Sequence, residues 1–184
     1  MKLRSILRRL IPMRWQRPAK DEPLSIILLL RKPHYFDTEE LRLAAERAWR
    51  ISFAGGEGSK HCIVQSGKVT LLKAGPHLLS FFHLPKPYLE DPGEIGRRLR
   101  GNRRRAWVEH SACVGVDYLN YDVDVELGYC VLSKLVAEML DGNCSGIYIP
   151  WESALIPNDA ALYLDLQKVA SSRDSGVSGN PTPS

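Results

Sequence analysis

The stretch Ala106–Pro150, AWVEHSACVGVDYLNYDVDVELGYCVLSKLVAEMLDGNCSGIYIP, decides the fold, and the rest of the chain is read outward from it. Side chains of a strand alternate faces with a period of two. Read that way, Ala106–Tyr118 has one apolar side carrying Val108, His110, Ala112, Val114, Val116 and Tyr118. Its other side carries Trp107, Glu109, Ser111, Cys113, Gly115 and Asp117, small residues flanked by an aromatic and carboxylates. The spacing predicts a strand buried on one side and open on the other. A polar connection over Leu119–Asp124 follows, then a helix over Val125–Asp141 and a strand over Ile147–Ile149. The helix has acids at its start, where the dipole favours them. Leu132, Leu135, Val136, Met139 and Leu140 make its apolar stripe, and Gly142 is placed to cap its end.

Upstream, Leu24–Leu30 is almost wholly apolar between Pro23 and Pro33, as a fully buried central strand is. Asp37 and Glu40 match a capping box, and Leu41, Ala44, Ala45, Ala48 and Trp49 form the next helical stripe. Ile51–Ala54 reads as a short strand before a Gly-rich loop. His61–Gln65 and Lys68–Lys73 read as a hairpin around Ser66 and Gly67. After a turn at Gly75 and Pro76, His77–Leu84 reads as another strand and Asp91–Arg100 as a short helix. Downstream, Asn158 is the expected N-cap of a last helix. The order strand–helix–strand, extra strands, strand–helix–strand predicts an α+β domain. Its sheet is mixed or antiparallel with helices on one face, in a ferredoxin-like (split βαβ) plan with an inserted hairpin.

The chain has 184 residues and a formal net charge of +4, but the charge is unevenly placed. Residues 1–20 hold seven Lys/Arg and no acid, and residues 97–105 hold six Arg and no acid. Twelve basic residues then remain elsewhere against all 21 acids, so an acidic body carries two basic patches. This divides the chain into a basic arm at 1–22, one domain at 23–170 and a Ser/Gly/Pro-rich tail at 171–184, read as disordered. The arm reads as disordered, or as a peripheral membrane contact through residues 1–17. The longest apolar run is far short of a membrane span. Four cysteines without a C-x-x-C pair and no secretory h-region fit a reduced, cytoplasmic setting.

A resemblance enters through LSIILLLRKPHYFDTEELRLAAERAWRISF (Leu24–Phe53), WVEHSACVGVDYL (Trp107–Leu119) and Leu135–Pro150. Together these resemble a bacterial domain-of-unknown-function family, number 4261, over roughly residues 24–166. The resemblance implies an α+β domain and brings no activity or catalytic residues.

Several enzyme motifs fail on physical grounds. Gly142-Asn143-Cys144-Ser145-Gly146 spells a nucleophile elbow, but an elbow needs a strand before it and a helix after, and here the order is reversed. His61 with Cys62, and His110 with Cys113, have zinc-ligand types, but each pair points to opposite faces of a strand, so only a site that takes one residue from each pair survives. Asp122, Asp124 and Glu126 begin like a calcium loop, yet the later positions hold Leu127 and Ser133 rather than Gly and Glu. Ala54–Lys60 lacks a phosphate-loop order. No cofactor motif remains.

Two surfaces remain. One is the open sheet face: Trp107, Glu109, Ser111, Cys113 and Asp117. The other is the basic patch of Arg97, Arg98, Arg100, Arg103, Arg104 and Arg105, with Trp107 adjacent for stacking. They support a non-enzymatic interaction module for a protein partner. The alternatives are a nucleic-acid binder using the arginines, and a small hydrolase or metal enzyme around His110, Cys113 and Asp117.

Overall fold

The computed structural model describes residues 23–55, 58–67, 69–89, 96–120, 124–173 and 176–177. The basic arm, the first half of the expected 91–100 helix and the end of the tail lie outside them. Seven strands are present: β1 (Leu24–Leu30), β2 (His61–Ser66), β3 (Val69–Ala74), β4 (His77–Leu84), β5 (Ala112–Tyr118), β6 (Cys144–Ile149) and β7 (Ala154–Pro157). The helices that cover them are α1 (Thr38–Trp49), α2 (Gly101–Glu109), α3 (Val125–Met139) and α4 (Ala160–Ala170). A 3-10 turn spans Pro150–Glu152.

The strands form one sheet in the order β2-β3-β4-β5-β1-β6-β7, and every pairing is antiparallel. The α+β class holds, and β5 and β1 are central as expected. The ferredoxin-like plan does not hold. The hairpin β2–β3 extends the sheet itself, β7 adds another edge, and the seven-strand order is broader than a split βαβ sheet.

The expectation of helices on one face alone also fails. Even-numbered residues of β1 and β5, such as Leu28 and Val114, point into a large core with α1, α3 and α4. Ile27, Leu29 and Cys113 point the other way, into a smaller cluster with Trp107 of α2 and Leu155 of β7. Phe82, Tyr88, Leu89 and Leu99 complete that second cluster. Gly115 lets the Phe82 ring lie on the sheet there, since a Cβ at 115 would sit 1.9 Å from that ring.

The central correction concerns Ala106–Tyr118. Only Ala112–Tyr118 is strand, with the expected parity, while Ala106–Glu109 ends α2. In helical geometry Trp107 is fully buried and Val108 is 64% exposed, the reverse of the strand reading. The cause is local. Arg103, Arg104, Arg105 and Ala106 are good helix formers, and three alternating residues are too few to outvote them. The helix stops at His110, whose backbone is extended. Pairing with β1 then begins as the Ser111 N–H donates to the Leu30 carbonyl at 2.8 Å.

Other boundaries follow from caps. The Asp37–Glu40 capping box forms as expected. Asp159 rather than Asn158 caps α4, and the Asn158 amide instead donates to the carbonyls of Asp141 and Cys144, each at 3.0 Å. Helix α3 ends at Met139 with an extended Leu140, so Gly142 is not its cap. No strand forms over 51–54. Val177 is buried against the main core, so chain packing extends past the expected domain end at 170.

Candidate interaction surface

Helix α2 buries Ala106 and Trp107 and little else. That follows from its sequence, which has no apolar stripe to bury. All six arginines of the basic patch are exposed on it or on the turn before it. Glu109, at the same helix's end, is the carboxylate with which Arg105 pairs. Its Oε1 accepts from Arg105 Nε at 2.6 Å and its Oε2 from Arg31 Nε at 3.1 Å. These two guanidiniums, Arg105 foremost, hold the Glu109 carboxyl below the usual range. Arg31 is fixed from behind, because its Nη1 donates to the carbonyls of Gly142 (2.7 Å) and Cys144 (2.9 Å).

The anchor of this helix is a clamp around His110. The Tyr88 N–H donates to His110 Nε2 at 3.3 Å. The other ring nitrogen, Nδ1, then carries the proton and donates to the Trp107 carbonyl. The Trp107 and His110 rings lie 5.0 Å apart. Burial lowers the His110 pKa, in keeping with a neutral ring whose two nitrogens are both engaged. His110 is therefore unavailable as a general base.

The five expected open-face residues do not share one open surface. Trp107 and Cys113 are buried in the second cluster. Burial pushes the Cys113 thiol up to about 11, so it is not a thiolate near neutral pH. Glu109 belongs to the arginine patch. Ser111 is exposed and donates to the Arg31 carbonyl at 2.6 Å. Asp117 is half-buried, accepts from Ser25 Oγ at 2.6 Å and bonds Ser80, and burial raises its carboxyl above the usual range. His110, Cys113 and Asp117 thus form no nucleophile–base constellation.

All four cysteines are buried, and none forms a disulfide among the described residues. Cys144, the centre of the elbow-like sequence, is pushed up to about 12 by burial. Cys130 donates to the Ala170 carbonyl at the end of α4. Among the described residues no group of three or more His, Cys, Asp or Glu is placed to hold a metal. Asp124 caps α3 and pairs with Arg173, the role of a helix start rather than a calcium ligand.

Sequence reasoning missed Arg31 and Val108. Arg31 follows an apolar strand with nothing to signal its reach to Glu109, 78 positions away. Val108 was hidden by the strand parity, though a helical reading of Gly101–Glu109 would have exposed it. No described helix is long and apolar enough to cross a membrane. No known protein family, curated protein or solved structure matches the chain.

Proposed function

We propose that the chain is a non-enzymatic, cytoplasmic interaction domain that docks an acidic protein segment on α2. The observation that carries this reading is the composition of the helix surface. Arg103, Arg104 and Arg105 of the helix are exposed, as are Arg97, Arg98 and Arg100 just before it; Val108 is exposed too, and the helix's one aromatic residue, Trp107, is buried. Arginine forks pair with carboxylates in bidentate geometry, and Val108 gives such a segment an apolar point of contact. Single-stranded nucleic acid draws much of its affinity from stacking on exposed rings. With Trp107 inside, α2 offers no such ring. The buried cysteines and the engaged His110 favour a binding role over hydrolysis, and free thiols fit a reducing compartment.

The test is binding of the full chain to a Glu/Asp-rich peptide with a central leucine, beside a single-stranded oligonucleotide of equal charge. The peptide binds with strong salt dependence, and R103Q/R104Q/R105Q weakens it by at least about tenfold. V108S weakens the peptide and not the oligonucleotide. Retention of the oligonucleotide with no peptide binding would overturn this reading and select the nucleic-acid one.

A further inference from the structure

A cavity of about 230 Å³ opens beside α2, between that helix and the corner where β7 passes into α4. Its lining carries both charges. Arg31, Arg105 and Glu109 form one paired group, two cations against one carboxylate. Asp159, the cap of α4, supplies a second carboxylate, and the neutral amides of Asn158 and Asn102 also line the space. The lining charges sum to zero.

Each group keeps hydrogen-bonding capacity. Glu109 occupies Nε of both arginines, and backbone carbonyls occupy Nη1 of Arg31. The terminal nitrogens of Arg105 and Nη2 of Arg31 are left to face an incoming acceptor. Asp159 uses Oδ1 to receive the Ala161 and Leu162 N–H groups, which leaves Oδ2 as an acceptor. Arg31 is held by two backbone carbonyls and Asp159 by its two cap bonds to α4, so backbone contacts position both groups.

We propose that this cavity binds a small zwitterion, a free α-amino acid, with its carboxylate on the two arginines and its ammonium on Asp159. A simple anion would meet Asp159 and Glu109. A simple cation would meet Arg31 and Arg105. Only a ligand carrying both charges satisfies both groups. The cavity also has room for a molecule of that size and not for a folded segment. This site does not depend on the acidic-partner reading of α2, since it uses Arg31 and Asp159 from outside the helix.

The experiment is an NMR titration of the ¹⁵N-labelled full chain with L-alanine, with sodium acetate and methylammonium chloride as single-charge controls. L-alanine produces saturable shifts confined to residues around Arg31, Asn102, Glu109 and Asn158, and each control binds at least about tenfold more weakly. D159N keeps the helix cap, because Asn caps as well as Asp, and lowers alanine affinity by at least about tenfold. Unchanged α4 amide shifts in D159N confirm that the fold is intact. Absence of saturable shifts at millimolar alanine overturns the proposal. So does acetate binding as tightly as alanine, or D159N binding like the parent.

Discussion

Among the described residues, one face of the sheet carries three amphipathic helices, α1, α3 and α4, and the other carries α2, a helix with almost nothing apolar to bury beyond Trp107. On the first face α1, α3 and α4 bring periodic stripes against Ile26, Leu28, Val114 and Val116, and the interior is continuous. On the second face α2 is held by one tryptophan, one histidine clamp and a few half-buried rings. Burial scales with apolar area, so the first face supplies stability. The second supplies an attachment, and the surface it presents is charged. The difference teaches where the proposed binding can reside: the exposed charge sits on an element that buries little.

The largest expected effect breaks the strong face. Leu132→Ala removes a fully buried side chain of α3, and about 2–5 kcal/mol of global stability goes with it in denaturant melts. Trp107→Ala is the matched perturbation of the weak face. It releases α2, seen as lost amide protection over 101–109, while β1, β5 and α3 stay cooperative. A Trp107→Ala chain that unfolds as a whole would mean the two faces are one unit. Gly115→Ala comes next, at about 1–3 kcal/mol, because the new Cβ displaces the Phe82 ring.

Acid separates the faces more gently. His110 has a folded pKa below its ordinary value, as does His83, whose Nε2 accepts from the Phe36 N–H. The folded state therefore prefers the neutral rings. Their contribution is complete above the unfolded value of about 6.5 and is lost as pH falls from there towards the depressed folded values. Stability declines below about pH 6.5. H110Q, neutral at every pH, shows a smaller decline and retains the part due to His83. Glu109→Gln is the smallest perturbation. It leaves denaturant midpoints unchanged, since this pair is solvent-screened, but tightens binding of an acidic peptide by freeing Arg31 and Arg105.

The strong face was legible in the sequence because each of its elements repeats its signal. Leu24–Leu30 is apolar but for Ser25, the stripe from Leu132 to Leu140 runs two turns, and Asp37 with Glu40 forms a complete box. The weak face was not. Ala106–Glu109 carries a period-two accident of four residues joined to a true strand, and no periodicity argument separates the two. Whether a hairpin sits in a sheet or off it depends on pairing between distant strands, as β3 with β4 and β4 with β5 show. The basic patch itself was readable as composition. Its neighbours were not, since Arg31 reaches Glu109 and Asp159 comes to line the same cavity only through the fold.

Hydrogen exchange of the full chain, with and without a Glu/Asp-rich peptide, tests the central claim most directly. Amides of α2 should open at a free energy well below the global value and slow when the peptide is added, while those of β1, β5 and α3 exchange only through global unfolding. Protection of α2 at the global limit, or no response of α2 to the peptide, would contradict the account.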